Sequence, residues 1–221
     1  MKVLSLIATL FFVTAVGIVS TVFAQEDEKS PAVAVADVTP HQVVEEVTTE
    51  LMKLVETQQA VIKQNPEKYY ADVQVILDEA VNFQFIARAV MGSYWKQATP
   101  EQQKSFIETF KKDMVETYAK GMANFADLKI EVEPPRGEVP TSGKATVVQK
   151  IVSADKVNRV AYTLGKREGG QWQLITVVID GVNLGKTLRS QFAQAMKENN
   201  GDLSSTIANW ASQSEPSGGQ G

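Results

Sequence analysis

The chain has 221 residues, 43% of them hydrophobic, with a formal net charge of −4, no cysteine and one histidine, His41. That is the length of one ordinary domain or two small ones, with the apolar content of a globular chain. The missing cysteines exclude disulfides, thiolate metal sites and cysteine nucleophiles, and an acidic chain lacks the basic face that nucleic acid needs.

Residues 1–24 read as a secretory signal peptide. Lys2 is a minimal positive start, Val3–Val19 is apolar, and Val22-Phe23-Ala24 ends in a small residue before Gln25. The alternative is an uncleaved anchor helix, for which the run is short and lacks a basic stop. Residues 25–38, acidic and then rich in Ala, Val and Pro, read as a flexible leader. The domain expected from this pattern spans 39–211, and the Gly-rich residues 212–221 read as a disordered tail.

Thr39-Pro40 with Gln42 is a capping box that opens a helix, with a stripe through Val44, Val47, Leu51 and Leu54 fading near Gln64. Asn65-Pro66 opens the next helix, carrying Tyr69, Tyr70, Val73 and Leu77. A third carries Phe83, Ile86, Ala87 and Val90 and stops at Gly92. Thr99-Pro100 with Gln102 is a second capping box. It starts a long helix with a stripe of Ile107, Phe110, Met114, Tyr118, Met122 and Phe125, ending near Ala126. Tyr94 and Trp95, in the preceding loop, must dock on apolar surface, and the stripe is nearest.

The period then changes from helix to strand. Leu128, Ile130 and Val132 alternate with charged residues, giving a half-buried strand. Lys144–Val152, Asn158–Lys166 and Trp172–Ile179 follow, the last apolar enough to be buried on both faces. Short connections predict an antiparallel meander. After the Asp180-Gly181 turn, Asn183 caps a helix with Leu184, Leu188, Phe192 and Met196. Asp202 caps a short one with Leu203, Ile207 and Trp210. The fold class is α+β, with helices on one face of a curved, mainly antiparallel four-stranded sheet.

Chemistry is conspicuous by its scarcity. There is no phosphate-binding glycine loop, and His41 sits in a first helical turn with nothing to mark a triad. Asp180, after an apolar strand, reads as a turn residue or as a pocket-mouth carboxylate with a raised pKa. With Tyr118 or Tyr162 it is the one constellation for a small pocket enzyme. The apolar stripes are either solid core, as in an envelope chaperone or adaptor, or the walls of a cavity for long alkyl chains. Periodicity does not separate the two.

Gly92-Ser-Tyr-Trp-Lys-Gln-Ala-Thr-Pro-Glu-Gln resembles the MlaC or toluene-tolerance family of periplasmic phospholipid carriers. The resemblance extends through Phe106, Phe110, Thr117-Tyr118-Ala119, Trp172, Ile179-Asp180-Gly181-Val182, Arg189-Ser190-Gln191-Phe192 and Gly201-Asp202-Leu203, about Asn65–Ala211. It implies an NTF2-like or cystatin-like sheet curled against helices, with acyl chains between them. It also implies a monomeric, non-enzymatic periplasmic shuttle between outer and inner membranes that maintains outer-membrane lipid asymmetry. Its cargo would be phospholipid, with no cofactor or metal. Its partners would be an inner-membrane ABC transporter with its substrate-binding membrane subunit, and an outer-membrane lipoprotein/porin complex. A hopanoid or other lipid-pathway carrier is the alternative within the family. The expected lipid-binding residues are Val90, Met91, Tyr94, Tyr118, Met122, Phe125, Val147, Ile151, Tyr162, Leu164, Trp172, Leu174 and Val182. Arg88, Lys96, Arg159, Lys186 and Arg189 are candidates to meet a phosphate or an acidic partner, though most read as solvated charges. The family usually has aspartate where this chain has Thr176, and serine where it has Asn183.

Overall fold

The computed structural model describes residues 38–123, 129–153, 156–166 and 170–210, which belong to one unit. The targeting segment, the leader up to residue 37, Phe125, the end of the long helix near Ala126, the Glu168-Gly169 pair and the tail lie outside the described residues.

The helix starts follow from local chemistry. α1 (Pro40–Thr57) opens on Thr39, whose hydroxyl accepts from the Gln42 N–H while the Gln42 side chain accepts from the Thr39 N–H. α5 (Pro100–Met122) repeats that reciprocal pair with Thr99 and Gln102. α3 (Pro66–Ala80) and α4 (Phe83–Met91) are capped by Asn65 and Asn82. The first stripe is not one helix. It breaks at Gln58 into α1 and α2 (Gln59–Gln64), because Thr57 bonds back to the Lys53 carbonyl at 2.7 Å and Gln58 turns to donate to Asp72 at 2.8 Å. Tyr94 and Trp95 lie in a 3-10 helix, Gly92–Lys96, and pack on the helical core.

Five strands form one antiparallel sheet in chain order. They are β1 (Lys129–Val132), β2 (Gly143–Val152), β3 (Val157–Lys166), β4 (Gln173–Ile179) and β5 (Val182–Asn183). Four were expected. The fifth is a two-residue return across Asp180 (φ 47°) and Gly181 (φ 86°), the paired positive φ of a tight hairpin. β4 is also met at its other end by Val81, and the Asn82 N–H donates to the Leu174 carbonyl at 3.0 Å. Its edge is therefore partly covered. α6 (Leu184–Glu198) and α7 (Leu203–Ala208) close the described fold, capped by Asn183 and Asp202.

Register assigns the faces, since directly opposed residues share one. Ala145–Leu164–Leu174, Val147–Tyr162–Val177 and Gln149–Val160–Ile179 form the inner face, toward α1. Lys150–Arg159 and Thr146–Thr163–Thr176 form the polar outer face. β4 is not buried on both faces as expected. Its residues are half-buried, Ile179 exposed, because the outer face meets solvent and the inner face is not tightly covered.

A gap between two apolar cores as the candidate functional site

The buried apolar side chains fall into two clusters. The larger joins α1, α3–α7 and the Gly92–Lys96 turn around Leu51, Val55, Tyr69, Phe106, Phe110 and Phe192. At its centre Phe106 stands edge-on to Phe192 (5.0 Å) and to Trp210 (5.5 Å), the orientation that aligns a positive ring edge with a negative face. The smaller is built on the inner face of the sheet from Ala145, Val147, Leu164 and Trp172, with Val44 of α1. α1 contributes to both, so it bridges them.

The expected lipid-binding residues divide between these places. Val90, Met91 and Met122 are buried in the helical core, and the Tyr94 ring lies 6.0 Å from Phe192. Val147, Leu164 and Trp172 fill the sheet core. Ile151, Tyr162 and Leu174 are half-buried on the inner face. Val182 is at the rim, 55% exposed, opposite the exposed Ile179.

Tyr118 behaves differently from all of these. It is 43% exposed, yet burial pushes its phenol up to about 12, with a further contribution from Tyr69. Tyr162, on the inner face of β3, is raised for the same reason, burial first and Tyr118 second, so the two phenols lie near one another between the helical core and the sheet. The stripe expected on α5 is also rotated. Phe106, Phe110, Asp113, Val115, Ala119 and Met122 are buried, Ile107 and Met114 only partly, and Tyr118 points out of the solid core.

A polar chain crosses the inner face. The Tyr162 hydroxyl donates to Gln149 Oε1 at 2.9 Å, and Gln149 Nε2 donates to Thr48 Oγ1 of α1 at 2.8 Å. Sequence reasoning missed Gln149, Thr48 and Tyr69. The signal was a lone glutamine in the inward series Ala145, Val147, Gln149, Ile151, because a buried amide must find partners.

Asp180 is no acid–base candidate in this geometry. It sits in the exposed turn and accepts from the Arg159 backbone N–H at 2.8 Å, with Lys156 at 3.4 Å. That backbone bond, and then Lys156, hold its pKa below the usual carboxylate range, opposite to a pocket-mouth acid. Arg159 is committed to Glu133 at 3.1 Å. No group of His, Cys, Asp or Glu among the described residues is placed to hold a metal ion. A groove of about 450 Å³ between α6 and Trp210, edged by Ser190, Gln191, Gln194, Ala195 and Glu198, is open to solvent and does not enclose a chain.

Helices laid against an antiparallel sheet, with one apolar core among the helices and a second on the inner face of the sheet, define an α+β domain. The chain belongs to the MlaC family, whose model, described as MlaC protein, matches residues 45–212. It is 35% identical to the toluene tolerance protein ttg2D of Pseudomonas putida over 82% of this chain and 84% of that one. It is 26% identical to the intermembrane phospholipid transport system binding protein MlaC of Haemophilus influenzae, over 68% of this chain and 72% of the relative. Its fold matches that of a phospholipid-binding protein from Ralstonia solanacearum, solved with a phospholipid, at a TM-score of 0.70 and 22% identity. The match covers 80% of this chain and 97% of that one.

Proposed function

We propose that this protein is a phospholipid carrier of the periplasm, moving lipid between outer and inner membranes as the soluble component of an ABC transport system. The observation that carries this reading is Tyr118, a large aromatic side chain left 43% exposed on α5 where it neighbours Tyr162 of the sheet, between the two cores. The names of the relatives support phospholipid as the cargo and an intermembrane transport system as the setting. An inner-membrane transporter with its membrane-bound binding subunit, and an outer-membrane lipoprotein or porin complex, are the partners this role requires. No helix among the described residues is long and apolar enough to cross a membrane.

The energetics explain why such a protein is needed. A buried methylene is worth about 0.8 kcal/mol, so exposing a chain of about sixteen carbons costs on the order of 13 kcal/mol. Lipid does not cross water unaided at that cost. A carrier has to enclose the chains and needs no catalytic group.

Native mass spectrometry of the protein, purified from a bacterial envelope without detergent, tests the proposal. Extra mass matching phospholipid, confirmed by extraction, is the expected result and identifies the lipid class. A clean ligand-free mass from folded protein overturns it.

A further inference from the structure

α3 and α5 run antiparallel, and two contacts fix their register. Lys111 of α5 pairs with Asp78 of α3 at 3.0 Å, and nine residues on, Lys120 stands 5.9 Å from the centre of the Tyr70 ring. Tyr69 and Tyr118 therefore lie at about the same level, Tyr69 inside the helical core and Tyr118 at its edge toward the sheet. Tyr69 is 0% exposed, and its hydroxyl has no hydrogen-bond partner among the described residues. A buried hydroxyl without a partner is a hydrogen-bond donor that a bound group can satisfy. Across the gap, Tyr162 already donates its proton to Gln149, which is held in turn by Thr48. It is a fixed wall and not a free donor.

We infer that the Tyr69 and Tyr118 hydroxyls form a donor pair for an ester carbonyl oxygen of the bound lipid, at the point where its acyl chains enter the space between the two cores. The inference rests on the carrier reading and names the part of the lipid that the interior recognises. Both phenols stay protonated at any physiological pH, so both donate. An uncharged donor pair in an apolar wall suits an uncharged acceptor. A phosphate drawn to the same place would shed its water in exchange for neutral hydrogen bonds alone, which do not repay its desolvation. The ester carbonyl is the first polar atom above the alkyl chains, and it needs one or two donors.

The test is competitive loading of the stripped protein with diester phosphatidylglycerol and its diether analogue of equal chain length, read by native mass spectrometry. The two lipids share head group and alkyl chains and differ only at the carbonyls. The wild type should prefer the diester about tenfold, and the Tyr69→Phe/Tyr118→Phe double variant should load both about equally. Equal loading by the wild type, or an unchanged preference in the double variant, overturns the inference and leaves the carrier reading intact. Folded wild type that loads neither lipid overturns both. Tyr69→Phe alone supplies a second readout. It should leave the melting temperature of the lipid-free protein unchanged or raised, and lower that of the diester-loaded protein. A fall in both forms marks a structural role and overturns the inference.

Discussion

At the scale of the residue, the shifted aspartates of this domain are set by local hydrogen bonds, whereas the shifted tyrosines are set by burial. Asp180 is the clearest case. Its carboxylate accepts from the Arg159 N–H and faces Lys156, so its folded pKa lies below the unfolded value of about 3.9. The charged form is favoured by folding. Its contribution is therefore complete above the unfolded pKa and lost as pH falls through the folded one. Asp180→Asn keeps the positive-φ turn, which asparagine tolerates, and still offers an oxygen to Arg159. It removes only the charge. The variant should show a shallower loss of melting temperature below about pH 4, and bound lipid should be unchanged at neutral pH. An acid limb as steep as that of the wild type would assign the pH dependence to other carboxylates. Loss of lipid would return Asp180 to the site.

The elements show where the family motif does its work. Gly92 ends α4 at φ 58° and ψ −121°, a conformation that side chains other than glycine's do not tolerate. A Cβ there would lie 2.8 Å from the Arg189 guanidinium, so the Gly92 and Arg189 motifs meet across α4 and α6. Gly92→Ala should cost about 1–3 kcal/mol, read as a lower urea midpoint. Adding Arg189→Ala should return only part of it, since the guanidinium clash goes and the backbone strain stays. Full recovery would place the whole cost in the contact. This also explains what the sequence could reveal. Caps, turn glycines and strand alternation act within a few residues, so the helix starts, the Asp180-Gly181 turn and the first four strands were legible. Val147, Ile151, Tyr162, Leu164 and Leu174 share the inner face, but the facing of strands apolar on both sides was not legible. The break at Gln58 was not either, because it depends on Asp72 in the next helix. Nor was β5, too short to have a period.

Across the whole molecule, the arrangement that matters is the separation of two cores that one helix bridges. Single-chain periodicity gives the same stripe for a core wall and a cavity wall, so the solid and open readings were inseparable before the contacts were known. The structure distinguishes residues by exposure. Val147 is 0% exposed in the sheet core, whereas Tyr118 has open surface toward the gap. Lysine at the two positions should therefore fail in different ways. In Val147→Lys the ammonium has no water within reach, and the cost, about 3–5 kcal/mol, consumes much of the stability of an ordinary domain. Insoluble or unfolded protein is expected. In Tyr118→Lys the side chain extends into space that water can fill once lipid is absent, so the domain should fold with a melting temperature within several degrees of the wild type. Native mass spectrometry should then find it empty, because a cation among alkyl chains opposes their entry. Both outcomes follow from one geometry. A folded Tyr118→Lys protein that still carries its full complement of lipid would move the alkyl chains away from α5 and out of the gap between the cores.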